Sequence, residues 1–569
     1  MIKGKRMENR YYIFGCGNNI EVVTKQLDNI FNFRGILDNN TEKIGTAYNG
    51  LIVMSAKEFL QNNSPKVNKI IISVTEERAH NEIVQQLEKA GYTKGVSYIE
   101  AKELCMFNCE RIPGSVKRRD LIVGDGANVS FDNNSYLIKK NNRIFRVFER
   151  ESVDVARNIL DKCNNKILGE YIVKSRIESF NKDELIVEHE FISPISFCFE
   201  WTDCMYREFV LWHVDLLEKL TKNGLCLTDI HALNATFYGG NFKLFDFGSI
   251  GFGETKTKEL YDFIGYLLLP LILKSKGRGE IAQFFLKENC RMDIRDIRGY
   301  VSEDEYEKVC LIYKETAFVN ELGILELLRK YKELIKKISG TFLSTGWSSY
   351  QDNEWQWESN SEKWSNKMIN VSNMIKKVSP KSLIDIAGNQ GWYSCYHRNE
   401  IKQIIVVDTD EEALNKLYKR ICDKKIRNVT PVYMSVCAPS LGHHLDGFID
   451  GNNIKPLRLS AIERYKSEMA IALAIVHHLV FRECLIFEEV IELLSSYTNR
   501  YLLVEFVEMN DAFIRDFQTD GFEWYTKERF ESVLSSKYRI IEKNSSSPEE
   551  TRTLYLCIKK EHCDEQNNY

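Results

Sequence analysis

The sequence predicts an α/β multidomain chain. A small doubly wound parallel sheet stands at the N-terminus, an α+β domain in the middle and a larger doubly wound sheet at the C-terminus. Three observations predict this. The 569 residues are several times the length of one compact domain, which runs to roughly 150 residues. Near each end, short apolar strand patterns alternate with helical stretches and run into loops of small residues. Between them, a helical pattern with one apolar face precedes two short strands joined at Gly239-Gly240-Asn241.

Composition narrows the class further. Hydrophobic residues make up 44% and charged residues 28%, the balance of an ordinary globular protein. That excludes wholesale disorder, collagen-like repeats and coiled coil. Lys and Arg number 77 against 81 Asp and Glu, a formal charge of −4, so nothing in the total charge asks for a nucleic acid or an anionic membrane. The fifteen cysteines scatter without a CxxC pair. They are expected to be reduced thiols rather than a disulfide framework or a zinc site. No apolar leader precedes Tyr11, and the longest apolar stretch, 264–273, is broken by Tyr266 and Pro270. A bilayer span needs about 20 residues, so no transmembrane segment is expected. The expected location is cytoplasmic, with peripheral attachment to the inner face of the membrane as an alternative.

The first domain is placed at residues 1–112. Strand 11–14 runs into Gly15-Cys16-Gly17, a helical stretch covers 19–30, and strand 33–37 ends at Asp38-Asn39-Asn40. Strand 69–74 and helix 76–90 continue the alternation. Gly15 and Gly17 would let the backbone approach a phosphate, and Asp38 would accept from a ribose hydroxyl. Ile20 stands where the dinucleotide fingerprint has its third glycine. Nucleotide binding and a tight structural turn therefore both remain open.

The second domain is placed at 113–340. Asp229 and Asn234 are followed, after a predicted hairpin, by Asp246-Phe247-Gly248. Phosphoryl transfer needs a carboxylate to orient the accepting hydroxyl, here Asp229, and oxygen ligands for magnesium on ATP, here Asn234 and Asp246. With the helix over 206–220 ahead of them, these elements follow the order of a protein-kinase C-lobe. The glycine-rich loop is thin, only Gly124-Asp125-Gly126. Arg146 stands on strand 143–148 where a kinase has its lysine; it could meet a phosphate but is not equivalent to a point charge. A kinase-like fold is expected, with phosphotransfer an open question.

The third domain is placed at 341–560, followed by a polar tail, 561–569, expected to be disordered. Five of the eight tryptophans fall at positions 347, 355, 357, 364 and 392; lid or core packing is favoured over a ligand box. Strand 382–386 carries Asp385 and opens into Ala387-Gly388-Asn389-Gln390-Gly391, and strand 403–407 ends at Asp408. An acid roughly 20 residues on is the ribose acceptor of a nucleoside-binding βαβ unit. Thr409 or Asp410 caps the next helix. Downstream come a fourth strand followed by His477-His478, a fifth over 501–507, and a closing antiparallel hairpin over 538–541 and 553–558.

Family resemblances add to this reading. The order YIFGCG, GILDNN, KIGTAYNGLIVMS, KIIISV resembles the small Rossmann-like domain at the N-terminus of bacterial sugar acyltransferases, which implies binding of a UDP-sugar. DIAGNQG resembles the cofactor loop of class I S-adenosylmethionine methyltransferases, with Ala387 in place of the first glycine. From about 185 to 558, EHEFISPISFCFEW, LTDIHALNATFYGGNFKLFDFGSI, WSSYQDNEW, DIAGNQGWYS, VVDTDEEALNKLY and ALAIVHHL resemble a bacterial methyltransferase group that includes nodulation methyltransferases. The pairing of domains is similar, in architecture alone, to chain-terminating enzymes of O-antigen synthesis.

These resemblances imply S-adenosylmethionine as cofactor. Asp385, Ala387, Gly388, Asn389 and Gly391 would shape its loop, Asp408 would hold its ribose with Thr409 also at the cofactor, and His477 or His478 would act as general base. The implied acceptor is a sugar of a surface or secreted glycan or a nucleotide-sugar, with glycan-assembly enzymes at the membrane as partners. The kinase-like domain would aid acceptor binding. Alternatives are a bifunctional enzyme that phosphorylates and then methylates a glycan terminus, and a nucleotide-sensing pseudokinase.

Overall fold

A computed structural model describes residues 9–17, 20, 23–24, 31, 33–74, 76–101, 135–140, 143–149, 152–164, 168–180, 182, 184–319, 323–338, 346–352, 364–441, 459–514, 517, 521–547 and 549–562. Gly124-Asp125-Gly126, Trp355, Trp357, residues 563–569 and most of the helix expected over 19–30 lie outside the described residues. The chain forms two compact units: Met1–Gly169, Val173–Phe191 and Leu441–Ser460 in the first, Glu170–Ile172, Ile192–Ser440 and Ala461–Tyr569 in the second. The expected boundaries at 112 and 340 each fall inside a unit.

The first unit contains two sheets. Strands β1 (Arg10–Phe14), β2 (Phe33–Asp38), β3 (Ala47–Tyr48), β4 (Leu51–Ser55), β5 (Asn68–Ile72) and β6 (Tyr98–Glu100) run in the order β3-β4-β2-β1-β5-β6. All neighbours are parallel except the β3–β4 pair. Beyond their polar first residues, Arg10 and Asn68-Lys69, the central strands β1 and β5 are apolar and buried, because both faces are covered. Helix α1 (Glu77–Lys89) starts at Glu76, whose carboxylate accepts the N–H groups of Arg78 and Ala79. The second sheet is antiparallel: β7 (Ser135–Lys140), β8 (Arg143–Glu149), β9 (Ser175–Phe180) and β10 (Glu184–His189) in the order β7-β8-β10-β9, with helix α2 (Ser152–Cys163) between β8 and β9. Phe145, Val147 and Ile186 of this sheet share one hydrophobic cluster with Tyr11, Ile13 and Ile36.

In the second unit, helix α3 (Asp203–Lys222) is capped by Thr202, buries a stripe that includes Tyr206, Phe209, Val210 and Leu217, and is followed by Gly224 at φ +68°. Strands β11 (Leu225–Leu227) and β14 (Ile250–Phe252) pair around the hairpin of β12 (Ala235–Tyr238) and β13 (Asn241–Leu244). Gly239 and Gly240 both take positive φ at its turn, as a two-residue hairpin loop demands. The apolar stretch 264–273 lies buried in helix, and among the described residues no helix is long and apolar enough to cross a membrane.

A seven-stranded sheet follows: β15 (Ser382–Ile386), β16 (Gln403–Asp408), β17 (Val429–Tyr433), β18 (Ser467–Ala472), β19 (Thr498–Val507), β20 (Tyr538–Ser545) and β21 (Arg552–Lys559), ordered β17-β16-β15-β18-β19-β21-β20. Its first five strands are mutually parallel and β21 runs antiparallel to both β19 and β20. Helix α4 (Asn366–Val378) precedes β15, α5 (Glu411–Asp423) follows β16, and α6 (Val476–Phe481) follows β18.

Residues on either side of position 340 pack as one body. The Glu200 carboxylate, 2% exposed, takes bonds from Arg464, Tyr465 and Ser440. Burial pushes its pKa up, but Arg464 and these donors outweigh that and hold it below the usual carboxylate range. Asn415 accepts from the Thr202 hydroxyl, and the Glu411 carboxylate accepts the Asp203 N–H. Tyr418 of α5 packs on Phe237 and donates to Glu208. A Cβ on Gly240 would stand 3.0 Å from the Ile426 carbonyl oxygen, so the hairpin tip abuts the end of α5.

Candidate functional site

The seven-stranded sheet changes direction at β15. The chain leaves β15 toward β16 on one side and returns to β18 on the other, which opens a crevice beyond the carboxyl ends of the strands. A cavity of about 530 Å³ lies there. Its walls include Asp385, Ala387, Gly388, Asn389, Asp408 and Thr409 from one side of that switch and His477 and His478 from the other. Gly391 stands behind the loop, where a Cβ would come 2.9 Å from Cys395 Sγ.

The loop is conformationally costly. Ala387 and Asn389 have φ of +55° and +51°, a region that side-chain-bearing residues seldom enter. Several bonds hold it there. The Asn389 N–H donates to Asp408 Oδ2 at 2.6 Å, and its side-chain amide donates to the Trp347 carbonyl at 3.0 Å. The Gln390 and Trp392 N–H groups both donate to Gln351 Oε1. Gly388 lies on the Asp385 carboxyl: a Cβ there would meet Asp385 Cγ at 2.7 Å and Val406 Cγ1 at 2.9 Å.

Electrostatics set this site apart. Asp385 is 2% exposed and its Oδ2 has no hydrogen-bond partner. Burial pushes its pKa up to about 7 against hydrogen bonds from Ser394 that favour the ionised form, and the charge on Asp408 adds to the rise. Burial also raises Asp408, against the N–H groups of Asp410 and Asn389 that favour its ionised form. Burial pushes His477 down to about 3 and His478 down to about 4, so both imidazoles are neutral near pH 7. Their rings lie 4.4 Å apart, with the His478 ring edge-on to Trp347 and His477 Nδ1 buried without a partner. Imidazoles this weakly basic hold a hydroxyl better than they take its proton. Lys367 and Arg552, also in the wall, are each tied to a carboxylate, Glu505 at 2.6 Å and Asp511 at 2.8 Å.

The sequence reading missed the strap over this cavity. Residues 346–352 reach the loop through Trp347 and Gln351, reach Asp410 through the Ser348 hydroxyl, and reach Lys416 through Asp352. The sequence signals were Trp347 in a cluster read as lid or core packing and the resemblance carried by WSSYQDNEW; neither assigned roles to Ser348, Gln351 or Asp352. The tryptophans divide between roles: Trp392 is buried in the core against Trp364, whereas Trp347 lines the cavity.

The residues expected for phosphotransfer lie at the base of the β12–β13 hairpin. The Phe245 N–H donates to the Asn234 carbonyl, which sets Asn234 beside the chain leading to Asp246. The Asn234 side chain donates to the Asp229 carbonyl at 3.3 Å, and Asp246 Oδ1 accepts the Gly248 N–H. His231 Nδ1 accepts from the Leu233 N–H, which leaves its Nε2 proton toward Asp229 Oδ2, 3.3 Å away. Burial raises the Asp229 pKa, but His231 outweighs it and holds the carboxyl below its ordinary value. Among the described residues, no group of three or more His, Cys, Asp or Glu could hold a metal.

In the first unit, Asp38 accepts the Cys16 N–H at 2.7 Å and the Asn40 N–H at 2.8 Å. Gly15 has φ +109°, and a Cβ there would come 2.3 Å from Val74 Cγ2; at Gly17 nothing lies within 4 Å. Lys43 Nζ donates to the Cys16 carbonyl. Arg146 is 1% exposed and donates to the Ser135 hydroxyl. It belongs to the first unit, whereas Asp229, Asn234 and Asp246 belong to the second.

No protein-family model matches the chain. It is similar to nodulation protein NoeA of Rhizobium meliloti (strain 1021), 24% identical over 417 residues that make up 66% of this chain and 82% of that one. Among solved structures, it is similar to the N-methyltransferase NodS of Bradyrhizobium japonicum WM9 at 10% identity and TM-score 0.23, over 34% of this chain and 92% of NodS. It is also similar to the bifunctional kinase-methyltransferase WbdD at 14% identity and TM-score 0.24, over 37% of this chain and 42% of WbdD, less than half of that enzyme's length.

Proposed function

We propose that the chain is an S-adenosylmethionine-dependent methyltransferase whose cofactor cavity is the one at the β15–β18 switch. The observation that carries this reading is the latched loop: Asp408 holds Asn389 in a left-handed turn over a buried Asp385 whose Oδ2 has no partner, on the wall of a cavity large enough for a nucleoside. Asp408 and Thr409 would hold the ribose hydroxyls, and Ala387, Gly388 and Asn389 would lie against the amino-acid portion. The bound cofactor supplies a methyl on a sulfonium sulfur. The chain's task is to align a nucleophile with that methyl and exclude water. His477 and His478 face the cavity from the β18 side and hold the acceptor group. Calorimetry with S-adenosylmethionine tests the reading: wild type binds and Asp408→Ala binds at least about tenfold more weakly. Equal binding by both, or binding by neither, ends it.

The acceptor in this reading is a sugar of a surface or secreted polysaccharide, methylated on oxygen, in a cytoplasmic protein working beside glycan-assembly enzymes. The sequence resemblance supports this. The region around Asp229 is kinase-like and helps to bind the acceptor. The juxtaposition of Asn234 and the Asp246 segment favours a second reading, in which this region also binds ATP with Mg²⁺ and phosphorylates the glycan terminus or senses nucleotide. A magnesium-dependent rise in melting temperature with ATP, lost in Asp246→Ala, supports nucleotide binding, and a phosphorylated product then separates kinase from sensor. Gly15, Gly17 and Asp38 bind a UDP-sugar in the same scheme.

A further inference from the structure

We propose that this cavity carries an acceptor subsite that takes a neutral pyranose ring by stacking. Trp347 and Tyr350 of the strap and Phe513 after β19 lie against its C–H faces, and His477 Nδ1 bonds one of its hydroxyls. The proposal rests on the reading of a sugar acceptor above and names the residues that select it.

The argument begins with exposure. Large apolar side chains are commonly exposed one at a time, whereas a group of them exposed in one concave wall marks a contact surface. Trp347, Tyr350 and Phe513 all line the cavity, and each remains between 41% and 53% exposed. The rings of Trp347 and Tyr350 lie 5.7 Å apart at 70° to each other, and Trp347 meets His478 edge-on at 6.1 Å. Phe513 has one face against the Arg552 guanidinium, 4.8 Å from its centre, and Tyr350 lies near the same guanidinium.

These rings are fixed in advance. Ser348 ties the strap to Asp410, and Gln351 ties it to the N–H groups of Gln390 and Trp392. The support under Phe513 is fixed too, since Arg552 donates twice to Asp511, at 2.8 and 2.9 Å. Aromatic side chains held in place lose little entropy when a ligand covers them.

Polar groups in the same wall decide what that ligand is. His477 is 4% exposed, and its Nδ1 has no partner. Arg482 and Glu483 also line the cavity and bring one charge of each sign. An acyl chain would cover the rings but would leave Nδ1 unpaired and strip water from both charges at a cost. A pyranose has C–H faces for the rings and a hydroxyl edge for these groups. The paired charges ask for no net charge on the sugar.

The test is saturation-transfer difference NMR on the full chain, which detects weak ligands and shows which protons touch the protein. The probes are the methyl pyranosides of glucose, galactose, mannose and N-acetylglucosamine, with methyl glucuronide and octanoate as contrasts. At least one neutral pyranoside is expected to take up saturation, most strongly at its ring C–H protons. Its signal should fall about fivefold in Tyr350→Ala and in Phe513→Ala. Phe513→Leu keeps the apolar bulk and removes the ring; it should lose the signal equally, and it decides the matter if Phe513→Ala does not fold. S-adenosylmethionine affinity, measured by calorimetry, should stay within about twofold of wild type in all three variants. No pyranoside signal in wild type overturns the proposal, as does a signal that survives Phe513→Leu. Preference for octanoate or glucuronide overturns it as well. A loss of S-adenosylmethionine affinity without loss of the sugar signal would assign the rings to the cofactor instead. If wild type binds a pyranoside but no S-adenosylmethionine, the cofactor reading has failed and the subsite stands.

Discussion

The two parallel-sheet regions use the same latch, and only one latch stands beside a buried acid. In the first unit, Asp38 at the end of β2 accepts the Cys16 N–H, and in the second, Asp408 at the end of β16 accepts the Asn389 N–H. Each also accepts the N–H two residues on, from Asn40 and Asp410. Both latches hold a loop that contains a glycine whose Cβ would strike protein, Gly15 and Gly388. The difference lies four residues before each latched N–H. There the second unit has Asp385, buried with a bare oxygen, and the first has Tyr12, packed against Phe59 at 4.5 Å. A strand-end acid that braces a glycine loop is therefore a structural device in its own right. The buried acid beneath the second loop is what distinguishes the two regions.

The largest expected effect is at Gly388. In Gly388→Ala the new methyl has only rigid neighbours, the Asp385 carboxyl and Val406. The loop must shift, and S-adenosylmethionine affinity should fall more than about a hundredfold while the chain stays folded by circular dichroism. Retained affinity would show that the loop does not contact the cofactor. Next comes the comparison of the latches. Asp408→Ala should weaken S-adenosylmethionine about tenfold to a hundredfold. Asp38→Ala should lower the melting temperature without changing that affinity. Equal effects from the two would remove the distinction between them.

A smaller effect separates the buried acid from its aromatic counterpart. Asp385 has its folded-state pKa raised, from 3.8 to about 7. The folded state thus holds a proton that the unfolded state gives up between those values, and stability falls as pH rises through that window. Asp385→Asn removes the penalty. The ligand-free variant should melt several degrees above wild type at pH 8, and the difference should close as pH falls through 4 to below 3.8, where both states become protonated. A pH-independent difference would mean that the carboxyl is not the titrating group.

Much of this was legible in the sequence, for a physical reason. Strands 382–386 and 403–407 are mostly apolar and buried on both faces, so period and loop chemistry located β15, β16, the glycine turn and Asp408 within a residue. The histidine pair lines the cavity because it follows β18 directly. What escaped was long-range or environmental. Gln351 meets the Gln390 N–H 39 residues away, and Glu200 meets Arg464 across 264 residues. No local pattern encodes such pairs, and the second of them joins two regions expected to be separate domains. The charge state of Asp385 depends on the absence of water around it, which is a property of packing rather than of spacing. The same holds for His477 and His478, whose burial weakens the basicity that the sequence suggested for them.

The smallest effect tests whether the N-terminal glycine turn serves a ligand at all. Gly15 and Gly17 look alike in sequence but not in space. Gly15 needs its positive φ and lies against Val74, so Gly15→Ala should cost stability whatever the loop binds. Gly17 does not take positive φ and has open space where a Cβ would go. The fold therefore tolerates Gly17→Ala, and alanine restricts the unfolded chain, so the change should leave stability unaltered or raise it by about 0.4–1 kcal/mol. A phosphate lying on the loop would be sensitive to that methyl even though the fold is not. Titration of the Gly17→Ala protein with UDP-glucose, followed by melting temperature, separates the two roles. Stabilisation of wild type that is lost in the variant means that Gly17 serves a nucleotide-sugar. The same response from both proteins, or from neither, leaves Asp38 and its glycines as a structural latch, and the comparison with Asp408 then stands at its sharpest.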